Sequence, residues 1–274
     1  MSRDLFSEEV IQGRSGDELA HWHEGIELLY IKEGTLCCLL QGKEFKLTQG
    51  TVCIINQKSV HRICSNGEET CIFQRLMIDP ELFTADRRVW RKYIEPVLTD
   101  ERFSHIIAPT KQTAVREIVN LINSIGDLER LRPEAYELPV IASLHMIFQK
   151  LFLLYQEAIG VTAAVINTDA VLFRKMADFV YANYAGKLSL EEIAANGNIS
   201  RSKCCALFRK YAQHSPVDFL NLYRLEVSRE LLKNTADSIS NIAFACGFGQ
   251  ASYYNRLFLR EYDETPTAYR KRMV

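Results

Sequence analysis

The sequence lacks the features of an exported or membrane-spanning chain. Its first ten residues, MSRDLFSEEV, contain no apolar signal core, which predicts that the protein is not exported. No run approaches the roughly 18 consecutive apolar residues that cross a bilayer. The nearest run, MIFQKLFLLY, is interrupted by Gln149 and Lys150. We therefore expect a cytoplasmic protein that does not use a membrane as a partner.

The sequence also lacks any C-x-x-C pair. Two of its pairs of cysteines, Cys37-Cys38 and Cys204-Cys205, are adjacent in the chain. Such spacing is not that of a structural zinc site. In a cytoplasmic protein, buried and reduced thiols are the better interpretation.

Net charge is small, but it is distributed unevenly. The whole chain carries a formal charge of −1, whereas residues 168–274 contain 15 Lys and Arg against 11 Asp and Glu. A length of 274 residues favours two domains. A mildly basic C-terminal part is weak evidence for a polyanionic partner.

The residue pattern changes near Asp79-Pro80. Residues 21–78 are typical of short strands, with glycines at positions 34, 42 and 50 marking turns at eight-residue intervals. This spacing predicts an antiparallel sandwich or barrel. Beyond Pro80, apolar residues recur every three or four positions, which predicts a helical segment. Residues 161–169 contain few large side chains and are typical of a linker.

A wide apolar stripe is expected on the last helix of that segment. Its members recur at helical spacing: Leu144, Phe148, Leu151, Phe152 and Tyr155. Two explanations are open, packing on the β domain or contact with a second chain, and one helix can serve both. The second explanation predicts a dimer whose two chains meet within residues 133–159.

The C-terminal part contains an internal repeat. SLEEIAA, which begins at Ser189, recurs as SISNIAF from Ser238, and the pair Leu207-Phe208 recurs as Leu257-Phe258. Each copy shows a short helix, a turn and a longer helix. We predict helix-turn-helix motifs at about 188–211 and 238–262, joined by an amphipathic helix over 217–233.

The second helix of each motif is the predicted recognition helix. In the first, Cys204, Leu207, Phe208 and Tyr211 are expected inside; in the second, Tyr254, Leu257 and Phe258. The residues expected to face DNA are Ser202, Lys203, Cys205, Ala206, Arg209, Lys210, Gln250, Ala251, Ser252, Asn255, Arg256 and Arg260.

Their chemistry predicts a division of labour between the two helices. Lys203, Arg209 and Lys210 are suited to phosphates, and Cys205 and Ala206 to a thymine methyl group. Asn255 matches adenine and Arg256 matches guanine, because each can form two hydrogen bonds with its base in the major groove. The alternative is that Arg256 meets only a phosphate or an acidic neighbour such as Glu261.

The segment SISNIAFACGFGQASYYNRLFLREYDETPTAYRK resembles the signature of AraC/XylS-type transcription regulators, and the resemblance covers about residues 170–272. Gln213 and Asp263 depart from it, since glycine is usual at both positions. The N-terminal part is similar to the cupin-like sensor domain often found in that family.

The resemblance implies an α+β protein. A cupin-like antiparallel β-barrel that binds an effector is expected over 1–79, a helical dimerisation segment over 80–160, and a linker over 161–169. An all-α DNA-binding domain with two helix-turn-helix motifs is expected over 170–274. The implied partners are double-stranded DNA, a small-molecule effector such as a sugar or another catabolic metabolite, RNA polymerase if the protein is an activator, and a second copy of the chain.

The stretch HWHEGIE is the candidate ligand site. His21, His23 and Glu27 share parity, so on a strand they point to one side. The intervals that separate them from Gly34, Gly50 and His61 resemble the two cupin motifs, although Asn56 and Lys58 stand at the usual proline and glycine. The resemblance makes His21, His23, Glu27 and His61 the positions of a cupin metal site. We expect them to line an effector pocket; no cofactor is expected, and a divalent metal is the alternative occupant.

The sequence is compatible with three functions. The first is a ligand-responsive, sequence-specific transcription regulator that is not an enzyme and has no catalytic residues. The second is a metal-dependent cupin enzyme with an accessory DNA-binding tail. The third is a constitutive DNA-binding regulator without an effector.

Overall fold

The computed structural model describes residues 5–12, 18–67, 69–159 and 167–273. The chain divides into two compact units, Met1–Asn167 and Thr168–Val274. Most of the predicted linker, residues 161–166, lies outside the described residues.

Two antiparallel sheets form the N-terminal unit. One has five strands in the order β1-β7-β2-β5-β8 and the other has three in the order β4-β3-β6. The strands are β1 (Phe6–Ile11), β2 (Ile26–Glu33), β3 (Thr35–Leu40), β4 (Lys43–Thr48), β5 (Thr51–Ile55), β6 (His61–Ser65), β7 (Cys71–Ile78) and β8 (His105–Pro109). The predicted antiparallel architecture and α+β class are confirmed.

The inward faces of the sheets share an apolar core. Alternate residues of each strand supply it, as the two-residue period of a strand requires. Its buried members include Leu29, Ile31, Leu36, Cys38, Leu47, Cys53, Ile63 and Phe73. The space between the two sheets is therefore filled by side chains along this core.

Strand β8 was missed by the sequence-based prediction, which assigned residues 80–160 to helices. It pairs with β5 in antiparallel register, with Ile106 opposite Ile54 and Ile107 opposite Cys53. A five-residue strand between helical segments is too short for its alternation to stand out, and its partner lies about fifty residues earlier. The segment after Pro80 therefore completes the five-stranded sheet.

Helices cover the outer face of that sheet. They comprise a 3-10 turn (Pro80–Phe83), α1 (Arg87–Val89), a π-helical turn (Trp90–Ile94), α2 (Glu95–Thr99), α3 (Thr113–Leu131) and α4 (Glu137–Ile159). Their core combines sheet residues such as Ile26, Leu28 and Leu76 with helix residues such as Ile118 and Ile147.

Helix α4 presents two apolar faces. The predicted stripe is buried at Leu144, Phe148, Leu151 and Tyr155, with Phe152 packed at its margin, so it packs within the unit. On another face, Leu138 is 68% exposed, Met146 50% and Leu153 42%. The helix also has the length and mean hydropathy (1.5) of a membrane span, although 39% of its apolar window is buried within the unit. Gln149 and Lys150 interrupt the apolar run of this helix, which is why the sequence predicted no membrane-spanning segment.

Seven helices form the described part of the C-terminal unit. They are α5 (Thr168–Asn183), α6 (Leu190–Asn196), α7 (Arg201–Ala212), α8 (Pro216–Asn234), α9 (Ile239–Ala245), α10 (Ala251–Tyr262) and α11 (Pro266–Met273). The pairs α6/α7 and α9/α10 are the two predicted helix-turn-helix motifs, and α8 is the predicted connecting helix.

Serine side chains define several of these helix starts. Ser189, Ser200, Ser215 and Ser238 are N-caps whose hydroxyls accept hydrogen bonds from backbone N–H groups in the first turn. Ser189 forms a reciprocal capping box with Glu192. Ser189 and Ser238 cap the equivalent first helices of the two motifs, whereas Gln250, the counterpart of Ser200, makes no side-chain capping hydrogen bond.

Candidate functional sites

The first predicted recognition helix, α7, has the expected inner and outer faces. Cys204, Leu207, Phe208 and Tyr211 are buried. Of the residues predicted to face DNA, Ser202, Lys203, Ala206, Arg209 and Lys210 are exposed, and Cys205 is half-buried. The helix therefore offers a mixed polar and basic surface with small side chains at its centre.

Two lysines on one flank of α7 are paired with a carboxylate. The Nζ atom of Lys203 lies 2.7 Å from Asp169, and that of Lys210 lies 3.3 Å from the same side chain. The hydrogen bond from Lys203 lowers the pKa of Asp169, so the carboxyl is charged at neutral pH. Asp169 is in the first turn of α5 and was not identified from the sequence, because 34 residues separate it from Lys203.

The second predicted recognition helix, α10, is divided in the same way. Tyr254, Leu257 and Phe258 are buried, whereas Gln250, Ser252, Asn255, Arg256 and Arg260 are exposed and Ala251 is half-buried. Gly249, Gln250, Ser252, Tyr253 and Arg256 line a concave patch at the start of this helix. Polar side chains that can hydrogen-bond base edges are thus concentrated on α10.

Arg256 is supported by an aromatic ring. Its guanidinium carbon lies 5.4 Å from the ring centre of Tyr253, a distance within the range of cation–π attraction. The Tyr253 hydroxyl accepts a hydrogen bond from the side-chain amide of Asn221, at 3.3 Å. The contact between Tyr253 and Asn221 could not be predicted from the sequence, because it joins residues on α10 and α8.

Helix α8 also fixes the second motif against the first. Arg224 donates hydrogen bonds to the backbone oxygens of Tyr184 and Gly186, both at 2.8 Å, and its guanidinium lies over the ring of Phe248. Tyr184 and Gly186 precede α6, whereas Phe248 lies in the turn of the second motif. Arg224 therefore joins the segment before α6 to the turn of the second motif.

The four residues predicted for the ligand site do come together at one end of the sheets. His61 begins β6, Glu27 is in β2, and His21 is paired with His61 through two backbone hydrogen bonds. One potential ligand atom from each of His21, His23, Glu27 and His61 lies within 4.8 Å of the others. His61 and Glu27 are buried, whereas the side chains of His21 and His23 are 15% and 14% exposed.

Each imidazole ring is fixed by its Nδ1 atom. Backbone oxygens of Leu19, Gly25 and Ser59 lie 2.8 Å from the Nδ1 atoms of His21, His23 and His61 respectively. A carbonyl oxygen only accepts hydrogen bonds, so these Nδ1 atoms carry hydrogen. Nε2 is then the ring atom that a cation would bind, in the arrangement by which proteins orient metal-binding histidines.

The Glu27 carboxylate lies among these rings. Oε2 is 2.8 Å from His61 Nε2 and 3.4 Å from His23 Nε2, while Oε1 is 2.8 Å from Arg75. Burial opposes its ionisation, but His61, His23 and Arg75 hold the pKa of Glu27 well below its ordinary value. A charged oxygen so close to an imidazole nitrogen requires a proton or another cation between the two atoms.

Arg75 lies behind the cluster and contacts three carboxylates. In addition to Glu27, it approaches Glu9 at 2.8 Å and Glu18 at 2.6 Å. One guanidinium among three carboxylates leaves an excess of two negative charges when all three are ionised. Such an environment attracts a divalent cation. The sequence did not identify Arg75, because its partners come from β1, β2 and the segment after β1.

The departures at Asn56 and Lys58 have a structural explanation. Lys58 takes the left-handed conformation (φ 58°) that makes glycine usual there, and its Nζ lies 3.2 Å from Glu24. The Asn56 amide donates to the backbone oxygens of Val97 and Phe103. The Lys58 ammonium is therefore paired with Glu24 at the surface.

Buried thiols lie beyond the cluster in the core. Burial raises the pKa of the Cys53 and Cys38 thiols. The charge of Glu27 raises the pKa of Cys53 further, and the charges of Cys53 and Glu27 do so for Cys38. Both thiols remain protonated at neutral pH, and thiolate rather than thiol is the form that binds metal. The donor set is therefore three imidazoles and one carboxylate.

Comparisons with known proteins match both units. A helix-turn-helix domain model covers residues 193–272, and a cupin domain model covers residues 7–79. The uncharacterised HTH-type transcriptional regulator YdeC of Bacillus subtilis is 22% identical over 92% of this chain and 85% of its own length. The HTH-type transcriptional activator RhaS of Enterobacter sp. (strain 638) is 25% identical over 92% of this chain and 87% of its own length.

Among solved structures, ToxT from Vibrio cholerae O395 is similar, with a TM-score of 0.51 and 12% sequence identity, over 98% of both chains. At this identity the likeness shows a shared fold.

Proposed function

We propose that this chain, an AraC-type transcription regulator with an N-terminal cupin domain, binds successive major grooves on one face of double-stranded DNA with α7 and α10. Grooves on one face are about 34 Å apart, which is the spacing that α8 has to maintain. The observation that carries the proposal is the repeated motif itself: both recognition helices bury one face and expose polar or basic residues on the other.

The two helices have different roles in this proposal. Asn255 and Arg256 on α10 recognise bases through paired hydrogen bonds, with Gln250, Ala251, Ser252 and Arg260 in the same interface. On α7, Arg209 binds a phosphate, and Ser202 lies in the same interface. Cys205 and Ala206 approach thymine methyl groups. Lys203 and Lys210 reach phosphate only by exchanging their contacts with Asp169.

The test is selection from a random-sequence duplex library by the full-length protein. We expect enrichment of a defined motif and an affinity that falls steeply with salt, because bound Lys and Arg release counterions from DNA. Arg256→Ala is expected to remove preference at particular positions, at a cost of about 1–3 kcal/mol on the selected site. Arg209→Ala, the matched control, is expected to weaken all sequences about equally. A folded protein that binds no duplex at low salt contradicts the proposal.

We further propose that the cupin cluster holds a divalent transition metal and that this cation is at least part of the effector signal. The donor set supports this: three oriented imidazoles, a buried carboxylate and a surplus of negative charge. His21, His23, Glu27 and His61 are the proposed ligands, and geometry rather than intrinsic affinity selects among zinc, iron, manganese and nickel. A sugar or other metabolite bound by the same four side chains is the competing occupant.

Elemental analysis of protein purified without a metal column distinguishes these occupants. We expect near-stoichiometric metal in the native protein and its loss in His23→Ala and Glu27→Ala. If native protein contains no metal and none binds on addition of zinc, iron, manganese or nickel salts, the metal proposal is wrong. A metabolite screen by thermal shift then identifies an organic effector.

The assembled regulator is proposed to be a cytoplasmic homodimer that acts on RNA polymerase if it is an activator. The exposed apolar face of α4, defined by Leu138, Met146 and Leu153, supports the dimer, since a patch of this kind is uncommon on a monomeric surface.

A further inference from the structure

The Arg256 side chain is held in the proposed DNA interface by a second residue, Tyr253. An arginine side chain has many rotamers, and a solvated arginine contributes little to base specificity until its side chain is ordered. Here the guanidinium lies over the Tyr253 ring, 5.4 Å from its centre. Contact with the ring uses no hydrogen-bond acceptor of the protein, so the N–H groups of Arg256 stay available for hydrogen bonds with a base.

Tyr253 is in turn fixed from helix α8. The side-chain amide of Asn221, only 8% exposed, donates to the Tyr253 hydroxyl at 3.3 Å. The Tyr253 ring also lies 6.4 Å from the ring of Phe248. Asn221 and Phe248 belong to elements that pack in the unit's core, so the ring is a defined surface for Arg256.

The ordered guanidinium borders the concave patch at the start of α10, together with Gly249, Gln250 and Ser252. A base edge that enters this patch meets the N–H edge of a pre-oriented arginine. The O6 and N7 atoms of guanine are both acceptors and match two parallel N–H donors.

We propose that Tyr253 is a positioning residue that sets guanine preference through Arg256, with Asn221 holding its hydroxyl. This inference rests on the proposed binding of DNA by α10. It adds that one position of the selected motif depends on Tyr253 and that the dependence passes through Arg256.

The experiment compares selection from a random duplex library by four full-length variants: Tyr253→Leu, Tyr253→Phe, Arg256→Ala and the double variant Tyr253→Leu/Arg256→Ala. Tyr253→Leu is expected to lower guanine preference about two- to fivefold, the size of an exposed cation–π contact. The loss should fall at the same motif position that Arg256→Ala flattens. Tyr253→Phe keeps the ring but loses the hydroxyl that Asn221 holds, so its guanine preference should fall between that of the native protein and that of Tyr253→Leu. A loss equal to that of Tyr253→Leu would contradict a role for the ring itself.

The double variant separates positioning from a general structural effect. Its motif should equal that of Arg256→Ala alone, because Tyr253 has nothing to orient once the guanidinium is absent. Unfolding midpoints of the four variants establish that each is folded. Unchanged preference in Tyr253→Leu, or loss at a different position, overturns the inference while leaving DNA binding intact. If native protein selects no motif, the proposed function itself fails.

Discussion

The Nζ atom of Lys203 lies 2.7 Å from a carboxylate oxygen of Asp169. The same carboxylate lies 3.3 Å from Lys210, so one acidic side chain engages two ammonium groups on a flank of α7. In the proposed complex, DNA phosphates compete with it for both lysines.

Replacing Asp169 by Asn should therefore strengthen binding to random-sequence DNA. Each lysine that gains a phosphate steepens the plot of log affinity against log salt by roughly 0.9, so we expect a slope steeper by about one to two units. Fluorescence anisotropy across a salt series measures it. Asp237→Asn removes the same charge elsewhere in the unit and is the control. An unchanged slope in Asp169→Asn would show that the lysines do not reach phosphate.

Gly247 is expected to tolerate no side chain. Its φ is +84°, and an added Cβ would lie 2.6 Å from the backbone oxygen of Tyr184. Gly247→Ala should cost about 1–3 kcal/mol, since both strain and a backbone clash oppose it. Gly249→Ala is the control, because nothing lies within 4 Å of its added Cβ. Urea unfolding compares the two, and equal stabilities would contradict the packing of this turn against the segment before α6.

Arg75 is predicted to stabilise the protein and to weaken cation binding at the same time. Arg75→Met leaves Glu27 buried without its guanidinium, which should destabilise the metal-free protein by about 3–5 kcal/mol. The remaining carboxylates then attract a divalent cation more strongly, so the thermal shift produced by added zinc should be larger than in native protein. Lys32→Met, which removes a partly exposed pair with Glu8, is the control and should change neither quantity much. A smaller zinc-induced shift in Arg75→Met would contradict this account of the charges.

The exposed face of α4 should hold the dimer together. Leu138→Glu combined with Leu153→Glu places two charges on that face and is expected to yield monomers, while the buried stripe around Leu144 stays intact. Light scattering at micromolar concentration measures the mass. Val10→Glu introduces the same charge at an equally exposed apolar residue on β1 and should leave the dimer unchanged. A native protein that is monomeric at this concentration would remove α4 as an interface.

The C-terminal helices were predictable because their signals are local. Serine caps, apolar spacing and the Ser-Pro and Thr-Pro helix starts all lie within a few residues of the boundaries that they set. Even the departures at Gln213 and Asp263 keep the left-handed backbone, with φ values of 60° and 55°. Both positions therefore keep the left-handed backbone although neither has the usual glycine.

Features that depend on distant partners were not predictable in the same way. The ion pair between Asp169 and Lys203, the contacts of Arg75, and strand β8 all join residues far apart in the chain. The motif intervals identified the His21, His23, Glu27 and His61 set, whereas the strand-parity argument did not hold, because His21 and His23 precede β2, which begins at Ile26. Neither strand parity nor the motif intervals predicts that the Arg75 guanidinium lies behind the cluster.

The contacts of Arg224 have a consequence for the operator. They join the segment before α6 to the turn before α10, so the separation between the reading helices is a property of the folded unit. Inserting one base pair between the two contacted stretches of DNA moves one stretch relative to the other by about 3.4 Å along the helix axis and roughly 34° around it. Helices α7 and α10 cannot both follow that displacement while the Arg224 contacts hold. Binding sites for this protein should therefore tolerate many single-base substitutions between the two stretches, but not a single-base insertion there.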